Sequence, residues 1–375
     1  MIKRTMKDVA RLAGVSVATV SAVINSSATV SEIRTRRVRD AMEALDYYPD
    51  QVARSLKVGH TNVVGMVVPD ITNNFFPLLI RGVEDAARKQ GYSVILCDSN
   101  EDPEEERRHL DTLFSRRVDG VLIACSDPSA GYEHLMRRRF PIVFVDRIPR
   151  GVAHGAVATD NVEAGARATN HLIDLGHKRI AFITGKLGLS PHYARLEGFR
   201  TAMQSRGLPI LAEYLREGDL RIETGRRLGI ELLSLHPRPT AIISSNNKML
   251  LGLVGAFTEL GVPCPESISV VGFDDAVWTE HFNPNMTVMA QPAFEIGTAA
   301  FDVLLIRMRA ADGDTNLDDG LRLFPAQLRV RGSTAPPKLE KDSTPGRTLY
   351  SPDSQRSRVS AKSHQRKEPA ITEKA

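Results

Sequence analysis

The chain contains few cysteines and no long apolar segment. Its 375 residues include only three cysteines, set far apart at Cys97, Cys125 and Cys264. This spacing offers neither a disulfide framework nor a metal-ligand motif, so we expect reduced, buried thiols and no metal site. No apolar run approaches the roughly 20 residues that a membrane-spanning helix needs. These absences argue against a disulfide-stabilised domain and against an integral membrane protein.

Sequence motifs of export and catalysis are also missing. Lys7, Asp8 and Arg11 interrupt residues 1–25, which therefore lack the continuous apolar core of a signal peptide. The sequence contains no Gly-x-Ser-x-Gly nucleophile motif and no Gly-x-x-x-x-Gly-Lys phosphate loop. We therefore predict a cytoplasmic protein that is not an enzyme and that needs no cofactor.

Basic residues are concentrated at the two ends of the chain. Residues 1–60 carry 10 Lys and Arg against 6 Asp and Glu, and residues 336–375 carry 9 against 5. The intervening residues 61–335 carry 30 basic and 34 acidic side chains. A basic N-terminal region on an acidic body indicates a polyanionic partner for that region alone. The length of 375 residues, with 42% hydrophobic and 25% charged residues, indicates two or three soluble globular domains.

Residues 6–25 read as two short helices joined by a tight turn. We predict a first helix over residues 8–13, a turn at Gly14 and Val15, and a second helix with Ser16 as its N-cap. The apolar face of the second helix comprises Val20, Val23 and Ile24. The opposite face carries the small side chains of Ala18, Thr19, Ser21 and Ala22. Such a unit places its second helix in the DNA major groove, although an ordinary helical hairpin has the same apolar pattern.

A third helix and a short linker complete the N-terminal region. Ser31 and Glu32 open a predicted helix that runs to about Asp46, and Pro49 follows its end. One flank of this helix is strongly basic, with Arg34, Arg36, Arg37 and Arg39. Residues 50–58 suit a further two-turn helix, which is marginal alone in water. We expect that helix to form only when a partner chain or DNA supports it.

From residue 63 onward, apolar strands alternate with amphipathic helices. The predicted strands cover residues 63–68, 93–97, 121–124, 142–145, 180–184, 241–244 and 269–272. The predicted helices between them cover residues 75–90, 103–116, 130–139, 163–175, 193–206, 223–234 and 248–260. A helix over 292–310 and a strand over 321–330 follow. Continuous apolar strands joined by helices indicate parallel sheets covered on both faces, here as two doubly wound subdomains.

Polar residues and one glycine stand where the predicted strands end. They are Asp70, Asp98, Ser99, Asn100, Ser126, Asp146, Arg147, Gly185, Ser245, Asn246, Asn247, Asp274 and Asp275. Ligands of open α/β sheets bind beyond the carboxyl ends of the strands. We therefore predict a polar ligand cleft between the two subdomains, although each residue alone also suits a helix cap. Residues 336–375, rich in Ser, Pro, Lys and Arg, indicate a disordered basic tail.

Several motifs follow one another along the chain in a recognisable order. In the N-terminal region they are Lys7-Asp8-Val9-Ala10, Ala13-Gly14-Val15-Ser16, Ala18-Thr19-Val20-Ser21, Asn25, Val30-Ser31, Tyr48-Pro49 and Ala53-Arg54-Ser55-Leu56. In the body they are Gly65, Gly176-His177, Arg195-Leu196-Glu197-Gly198-Phe199, Gly272-Phe273-Asp274 and Gln291-Pro292. With these motifs, residues 3–333 resemble the LacI/GalR family of bacterial transcription regulators. The resemblance implies a helix-turn-helix headpiece, a hinge helix and a body folded like a periplasmic sugar-binding protein, which dimerises.

The resemblance also implies specific DNA contacts. It places base-reading positions at Val17, Ala18 and Ala22. It places phosphate contacts at Ser16, Thr19, Ser21 and Asn25, with Thr5 and Lys7 nearby. Ala22 stands where the family most often has Arg, and it cannot make a bidentate contact to guanine. Leu56 matches the hinge leucine that wedges into the minor groove of a palindromic operator, although an amphipathic linker with a buried leucine is an alternative.

For the cleft, the resemblance implies an effector bound chiefly by Arg195 and Asp274, although Arg195 also suits a structural partner of Asp274. Secondary polar contacts and an apolar wall are implied at Asn246, Asp146, Gln291, Phe75 and Phe76. Two residues depart from the family pattern, because Leu220 replaces a frequent ring-stacking aromatic and Asn247 replaces a common Asp. The missing ring argues against a nucleobase, so we expect a sugar, a sugar acid or a related metabolite.

These expectations divide the chain into four parts. We predict a headpiece over residues 1–49, a hinge over 50–60, an effector-binding and dimerisation body over 61–335, and a tail over 336–375. Within the body, we expect one subdomain to combine residues 61–161 with 291–321. The other is expected to combine residues 162–290 with 322–335.

The implied protein is an allosteric homodimer that represses transcription from a palindromic operator. Effector binding shifts the angle between the two partners and so decides whether the hinge helices pair on DNA. A solute-binding protein for transport and an α/β enzyme acting on a sugar or nucleoside are the alternative classes. The absent signal peptide and the N-terminal helices argue against the first, and the absent catalytic motifs argue against the second.

Overall fold

The chain divides into two compact units. The first consists of Met1–Val63 with Arg116–Asp119, and the second consists of Val64–Ser115 with Gly120–Ala375. The computed structural model describes residues 4–25, 29–48, 59–128, 132, 140–152, 155–311 and 320–338. Three predictions fall outside these residues: the hinge helix with Leu56, the helix over 130–139 apart from Tyr132, and the tail beyond Lys338.

The N-terminal unit contains three helices, α1 (Met6–Ala13), α2 (Val17–Asn25) and α3 (Glu32–Ala44). Gly14 ends α1 in the left-handed region with φ of 62°. The Ser16 hydroxyl accepts a hydrogen bond from the Thr19 N–H at 3.1 Å, which confirms Ser16 as the N-cap of α2. Helix α1 begins two residues earlier than predicted because the Thr5 N–H donates to the Asp8 carboxylate at 3.0 Å.

These helices meet at angles that suit a helix-turn-helix unit. The bend between α1 and α2 is 104°, within the roughly 90–120° typical of that unit. Their core consists of Val9, Ala10, Ala13, Val20, Val38 and Ala41, with Val23 and Ile24 packed against it. The apolar face of α2 therefore points inward as predicted. No single helix in the described part of the chain is long and apolar enough to cross a membrane, and α1 with α2 pass that test only together across their bend.

The body alternates strands and helices along the chain. Its first part contains β1 (Val63–Val68), α4 (Phe75–Lys89), β2 (Ser93–Asp98), α5 (Pro103–Ser115), β3 (Gly120–Ile123), β4 (Ile142–Val145) and β5 (Ala156–Thr159). Its second part contains α6 (Asn161–Asp174), β6 (Ile180–Thr184), α7 (Ser190–Ser205), β7 (Leu215–Glu217), α8 (Ile222–Leu233), β8 (Ala241–Ser244), α9 (Asn247–Leu260), β9 (Ser269–Phe273), α10 (Val277–His281) and β10 (Thr287–Ala290). The last elements are α11 (Ala293–Ala311), β11 (Arg322–Phe324) and β12 (Gln327–Arg329).

Two six-stranded sheets form the two lobes of this unit. The strand order is β11-β5-β4-β3-β1-β2 in the first lobe and β12-β10-β9-β8-β6-β7 in the second. Strands β3, β4, β5, β6, β8, β9 and β10 are buried along their whole length, as expected for sheets covered by helices on both faces. Strand β12 runs antiparallel to β10, with Met289 opposite Leu328. The predicted fold of two doubly wound parallel sheets is confirmed, with this antiparallel edge strand as an addition.

One predicted strand and one predicted boundary are wrong. The strand expected over residues 321–330 is in fact two strands, β11 in the first sheet and β12 in the second. Pro325 separates them because it has no N–H to donate to a sheet ladder. The prediction placed residues 322–324 in the second lobe. They pair instead with β5 in the first lobe. Strands β5, β7 and β10 and helix α10 are absent from the prediction.

Helices α4 and α11 cross at a pair of glycines in the first lobe. A Cβ atom added at Gly82 would lie 2.1 Å from the Phe294 carbonyl oxygen, and one added at Gly297 would lie 2.1 Å from the Leu79 carbonyl oxygen. Both distances are far below van der Waals contact, so only glycine permits this approach. The approach lets Leu79, Phe301 and other apolar side chains of both helices share one buried core.

We predict that Gly82→Ala lowers the free energy of unfolding by about 1–3 kcal/mol, because the new methyl group forces the two backbones apart. Chemical denaturation of the full-length protein measures this change. Gly255→Ala is the matched control, since Gly255 is also helical and has nothing within 4 Å of its Cβ position. The control is expected to leave the stability unchanged or slightly raised. Equal stabilities for the two variants would contradict the close crossing.

Candidate functional site

A narrow cavity of about 20 Å³ lies between the two lobes, beyond the carboxyl ends of the strands. Its walls are formed by Asn73, Phe75, Phe76, Asp146, Arg147, Pro191, His192, Arg195, Asn246, Asp274 and Gln291. The cavity thus brings together all seven side chains expected at the effector site. That volume has room for about one water molecule, so the two lobes close tightly over the site. Within the described ranges, no cluster of three or more His, Cys, Asp or Glu side chains could hold a metal ion.

Arg195 is the buried cation of this cavity. Its Nε donates a hydrogen bond to Asn161 Oδ1 at 2.7 Å, and its Nη1 donates to the Ser245 carbonyl oxygen at 2.5 Å. The guanidinium carbon lies 4.2 Å from the centre of the Phe273 ring, a cation–π contact. A Cβ atom added at Gly165 would lie 2.2 Å from the Arg195 carbonyl oxygen, so α6 presses closely on α7. These contacts fix the position of the guanidinium group.

Two buried carboxylates, Asp146 and Asp274, share the cavity with Arg195. They directly follow β4 and β9, and both have left-handed backbones with φ of 62° and 70°. Burial raises the pKa of Asp146 to about 6, although the positive charges of Arg195 and Arg147 oppose this shift. Burial also raises the pKa of Asp274, against the charge of Arg195 and hydrogen bonds from two amides. The cavity therefore concentrates opposite charges where water is scarce.

The two carboxylates differ in their hydrogen bonds. Asp274 accepts from Asn247 Nδ2 at 2.7 Å and from Gln291 Nε2 at 2.5 Å. Gln291 in turn accepts from the Thr159 hydroxyl at 2.6 Å. For Asp146, no hydrogen bond to the carboxylate is present within the described part of the chain, although this side chain lines the cavity. Asp146 is therefore the carboxylate with the greater capacity to accept hydrogen bonds from a ligand.

Arg147 lies beside Asp146 but its charge is already paired. Its two terminal nitrogens donate to both carboxylate oxygens of Glu101, at 2.9 Å and 2.6 Å. The Arg147 side chain is only 4% exposed. Burial opposes the charged form, yet the hydrogen bonds and charge of Glu101 outweigh it and raise the pKa of Arg147. This pair leaves Arg195 as the cation that the cavity carboxylates face.

Direct hydrogen bonds also join the two lobes at the edge of the cavity. Asn247, which opens α9 in the second lobe, donates to Asn73 Oδ1 in the first lobe at 2.8 Å and to Asp274. The next residue, Lys248, donates to the Asp70 carboxylate at 2.6 Å and to the Thr72 hydroxyl at 2.7 Å. Burial opposes ionisation of Asp70, but these hydrogen bonds outweigh it and hold its pKa below the usual value. The two lobes are thus held closed by the loop after β1 and the first turn of α9.

Some strand-end residues act as caps or pair elsewhere. Asn246 accepts from the Met249 N–H at 3.0 Å and so caps α9, although it also lines the cavity. The hydroxyls of Ser99 and Ser126 bond to each other at 2.8 Å inside the first lobe. Asp275 forms an ion pair with Arg331 at 2.7 Å, away from Asp274. Asn73, Pro191 and His192 also line the cavity and were not among the predicted site residues. The position of His192, three residues before Arg195 on α7, is a sequence signal that could have found it.

In the N-terminal unit, the start of α2 forms an exposed surface. Ser16, Val17 and Ala18 are exposed, and Thr19, Ser21, Ala22 and Asn25 are half-buried. The Ser16 and Thr19 hydroxyls bond to each other at 2.9 Å, and Asn25 donates to the Ser21 carbonyl oxygen at 2.8 Å. Thr5, which precedes α1, and Lys7, in the first turn of α1, are also exposed. A surface of small side chains and hydroxyls is therefore presented by this unit.

A helix-turn-helix unit followed by a two-lobed α/β body with a polar cleft defines a ligand-responsive DNA-binding protein. Residues 5–50 match the family described as bacterial regulatory proteins, lacI family. Residues 61–317 match the family described as periplasmic binding proteins and sugar binding domain of LacI family. The chain therefore belongs to the LacI family of bacterial regulatory proteins, as the motifs indicated. It is a transcriptional regulator, and neither the transport class nor the enzyme class is supported.

Individual relatives agree with this assignment. The chain is 40% identical over 306 residues to the ribose operon repressor of Escherichia coli K12, covering 81% of this chain and 93% of that protein. A crystal structure of the Lac repressor dimer bound to operator and the anti-inducer ONPF is 26% identical, with a TM-score of 0.79, covering 88% of this chain and 99% of that one. A LacI family regulator from Enterococcus faecium with bound ribose is 32% identical, with a TM-score of 0.64, covering 74% and 100%.

We predict that Arg195→Met lowers the free energy of unfolding at pH 8 by about 3–5 kcal/mol, because two buried carboxylates lose their cation. Burial already raises the folded-state pKa of both, and the substitution raises it further. The folded variant therefore gains protons on acidification, and its deficit relative to wild type shrinks as the pH falls toward 5. Urea unfolding at pH 8 and pH 5 measures this difference.

Arg226→Met is the matched control for that experiment. Arg226 forms ion pairs with Glu223 and Glu259 on the surface, at 2.6 Å and 2.5 Å. Surface ion pairs contribute little to stability, so this variant should remain close to wild type at both pH values. A deficit of Arg195→Met that grows on acidification would contradict the charge balance described for the cavity.

Proposed function

We propose that this protein is a homodimeric repressor whose affinity for a palindromic operator is controlled by a neutral monosaccharide, with ribose as the candidate. The observation that carries this proposal is the polar cavity that Asp146, Asp274 and Arg195 line together, with the charge of Arg195 acting on both carboxylates. Hydroxyl groups both donate and accept hydrogen bonds, so a polyol can satisfy carboxylates and a guanidinium together. We further propose that the protein acts in the cytoplasm, where its operator lies.

The charges of the cavity favour a neutral ligand over a phosphorylated one. Asp146 and Asp274 are both carboxylates that line the cavity, and Arg195 already donates to Asn161 and Ser245. The neighbouring cation, Arg147, is paired on both nitrogens with Glu101. A phosphate group would approach two carboxylates with Arg195 as the cation to balance it, and Arg195 is already held by Asn161 and Ser245. A neutral sugar meets no such repulsion.

The apolar wall of the cavity suits one face of a sugar ring. Phe75 and Phe76 open α4 and pack edge to face, with ring centres 5.3 Å apart. Aromatic rings can cover the C–H face of a sugar while the polar residues bind its hydroxyls. In this proposal Arg195, Asp146 and Asp274 are the principal polar contacts, and Asn246 and Gln291 are secondary contacts. The names of the E. coli and E. faecium relatives select ribose from the monosaccharides.

We propose that the N-terminal unit reads the operator through α2. Val17, Ala18 and Ala22 would contact base edges, with their small apolar side chains suited to thymine methyl groups. Phosphate contacts are proposed for Ser16, Thr19, Ser21, Asn25, Thr5 and Lys7. The Lac repressor dimer bound to its operator supports a symmetric dimer on a palindromic site. Minor-groove insertion by Leu56 remains part of this proposal.

We also propose the four-part domain division, with one change in the body. The headpiece spans residues 1–49, the hinge 50–60 and the tail 336–375. Residues 322–324 join the first subdomain, because β11 belongs to its sheet.

The proposed function is tested by operator affinity in the presence of sugars. The operator is first recovered from a random DNA library with the full-length protein, and its affinity is then measured by fluorescence anisotropy. We expect ribose to change the operator affinity by about 5- to 150-fold, the range typical of allosteric coupling. The direction of the change tells whether ribose is an inducer or a corepressor. A panel of pentoses and hexoses that leaves the affinity unchanged would contradict the proposed effector class.

The assignment of Ala22 to a base-reading position has its own test. Ala22→Arg introduces a side chain that can donate two hydrogen bonds to guanine. We expect the variant to select an operator with a guanine at one new position of each half-site, at the expense of the wild-type sequence. Ile33→Arg is the control, because Ile33 is exposed on α3 and outside α2. An unchanged operator preference for Ala22→Arg would contradict the assignment.

A further inference from the structure

His192 is a wall residue of the cavity that the expected effector contacts do not include. It lies in the first turn of α7, three residues before Arg195, and the two side chains therefore share one face of the helix. The residue is only 4% exposed, yet its side chain reaches the cavity. A histidine placed there can offer a ligand either a donor or an acceptor, depending on its tautomer.

Hydrogen bonds to Ser245 select the tautomer. His192 Nδ1 lies 3.1 Å from the Ser245 hydroxyl oxygen, and the same oxygen accepts from the Gly185 N–H at 3.1 Å. Among the described residues, Nδ1 is the one atom within hydrogen-bond distance that can accept the hydrogen of this hydroxyl, so we assign Ser245 as the donor. When Ser245 donates to Nδ1, the ring carries its own hydrogen on Nε2. The nitrogen away from Ser245 is then a hydrogen-bond donor.

The electrostatic surroundings keep the ring neutral. Burial lowers the pKa of His192 well below its usual value, and the positive charges of Arg195, Arg147 and Lys186 lower it further. The ring therefore carries one N–H at neutral pH rather than two. Within the described part of the chain, His192 Nε2 makes no hydrogen bond, so its donor is available to a ligand.

Packing fixes the plane of the His192 ring. A Cβ atom added at Gly185 would lie 2.7 Å from His192 Cδ2 and 2.4 Å from Leu220 Cδ2. The missing side chain of Gly185 thus makes room for both groups. Leu220 is buried with a left-handed φ of 73° and does not line the cavity. At this wall of the cavity the ring is therefore that of His192.

We infer that His192 is a specificity-determining residue, whose Nε2–H donates a hydrogen bond to one oxygen of the bound sugar. This inference rests on the proposed function of the cleft. A carboxylate such as Asp146 or Asp274 can accept hydrogen bonds from sugar hydroxyls in several directions. The single N–H of a fixed His192 ring, in contrast, requires a sugar oxygen at one defined position. His192 therefore selects among pentoses that differ in the position or presence of one hydroxyl.

The test compares pentose binding by the full-length wild type and His192→Phe. Isothermal titration measures D-ribose, D-arabinose, D-xylose and 2-deoxy-D-ribose. His192→Phe retains an aromatic ring and removes the donor, so we expect ribose binding to weaken about tenfold. We also expect the variant to bind ribose and the pentose that lacks the accepting oxygen with nearly equal affinity. Loss of this preference is a result that a merely structural role would not produce.

Two further variants complete the experiment. His192→Gln keeps an N–H donor and is expected to retain part of the preference for ribose. If His192→Phe fails to fold, His192→Gln is compared with wild type in its place. Tyr193→Phe is the matched control, because the neighbouring Tyr193 is 53% exposed. It should bind all four pentoses as wild type does.

The outcomes separate this inference from the proposed function. If wild type binds ribose and His192→Phe weakens all four pentoses by the same factor, His192 only packs and the inference is wrong. Unchanged binding by a folded His192→Phe variant would overturn it as well. If wild type binds none of the pentoses, ribose fails as the proposed effector, and the inference that depends on it fails too.

Discussion

The burial of one arginine in the same cavity as two carboxylates is the constraint on which the rest of the cleft depends. Arg195 cannot move far, because Asn161, the Ser245 carbonyl group and the Phe273 ring hold its guanidinium group. Burial raises the pKa of Asp146 and of Asp274, and the positive charge of Arg195 opposes both shifts. A ligand that enters this site must replace water for all three groups at once. A polyol without net charge does so with the fewest unpaired groups.

The same residues connect ligand binding with closure of the two lobes. Asn247 bonds at once to Asn73 in the first lobe and to Asp274 in the cavity, and Ser190 accepts from the Ile148 N–H across the cleft at 2.9 Å. A ligand that contacts both lobes gains affinity from the closed arrangement and so shifts the population toward it. Regulation of operator binding then follows from linkage, because any difference in operator affinity between arrangements becomes a response to the ligand.

Much of this fold could be predicted from the sequence, and the exceptions have physical causes. The predicted bounds of β1, β4, β6 and β8 match the structure because each is an apolar run enclosed by polar or turn-forming residues. Strand β7 is three residues long and carries charges, so no periodicity marks it. Asp146 and Asp274 directly follow strands and Asn246 lies two residues after β8, so the ends of the predicted strands pointed to all three. Asn73 and His192 reach the cavity through a loop and the first turn of a helix, whose direction depends on tertiary packing.

The claim that the cleft binds a neutral sugar is tested most directly by calorimetric titration of the full-length protein with ribose and with ribose 5-phosphate at pH 7.5. The two ligands share the same ring, so their difference reports the charge that the cavity accepts. Because Arg147 is neutralised by Glu101 and two carboxylates face the ligand, we expect ribose to bind and the phosphate to bind at least tenfold more weakly. Tighter binding of ribose 5-phosphate would contradict the account.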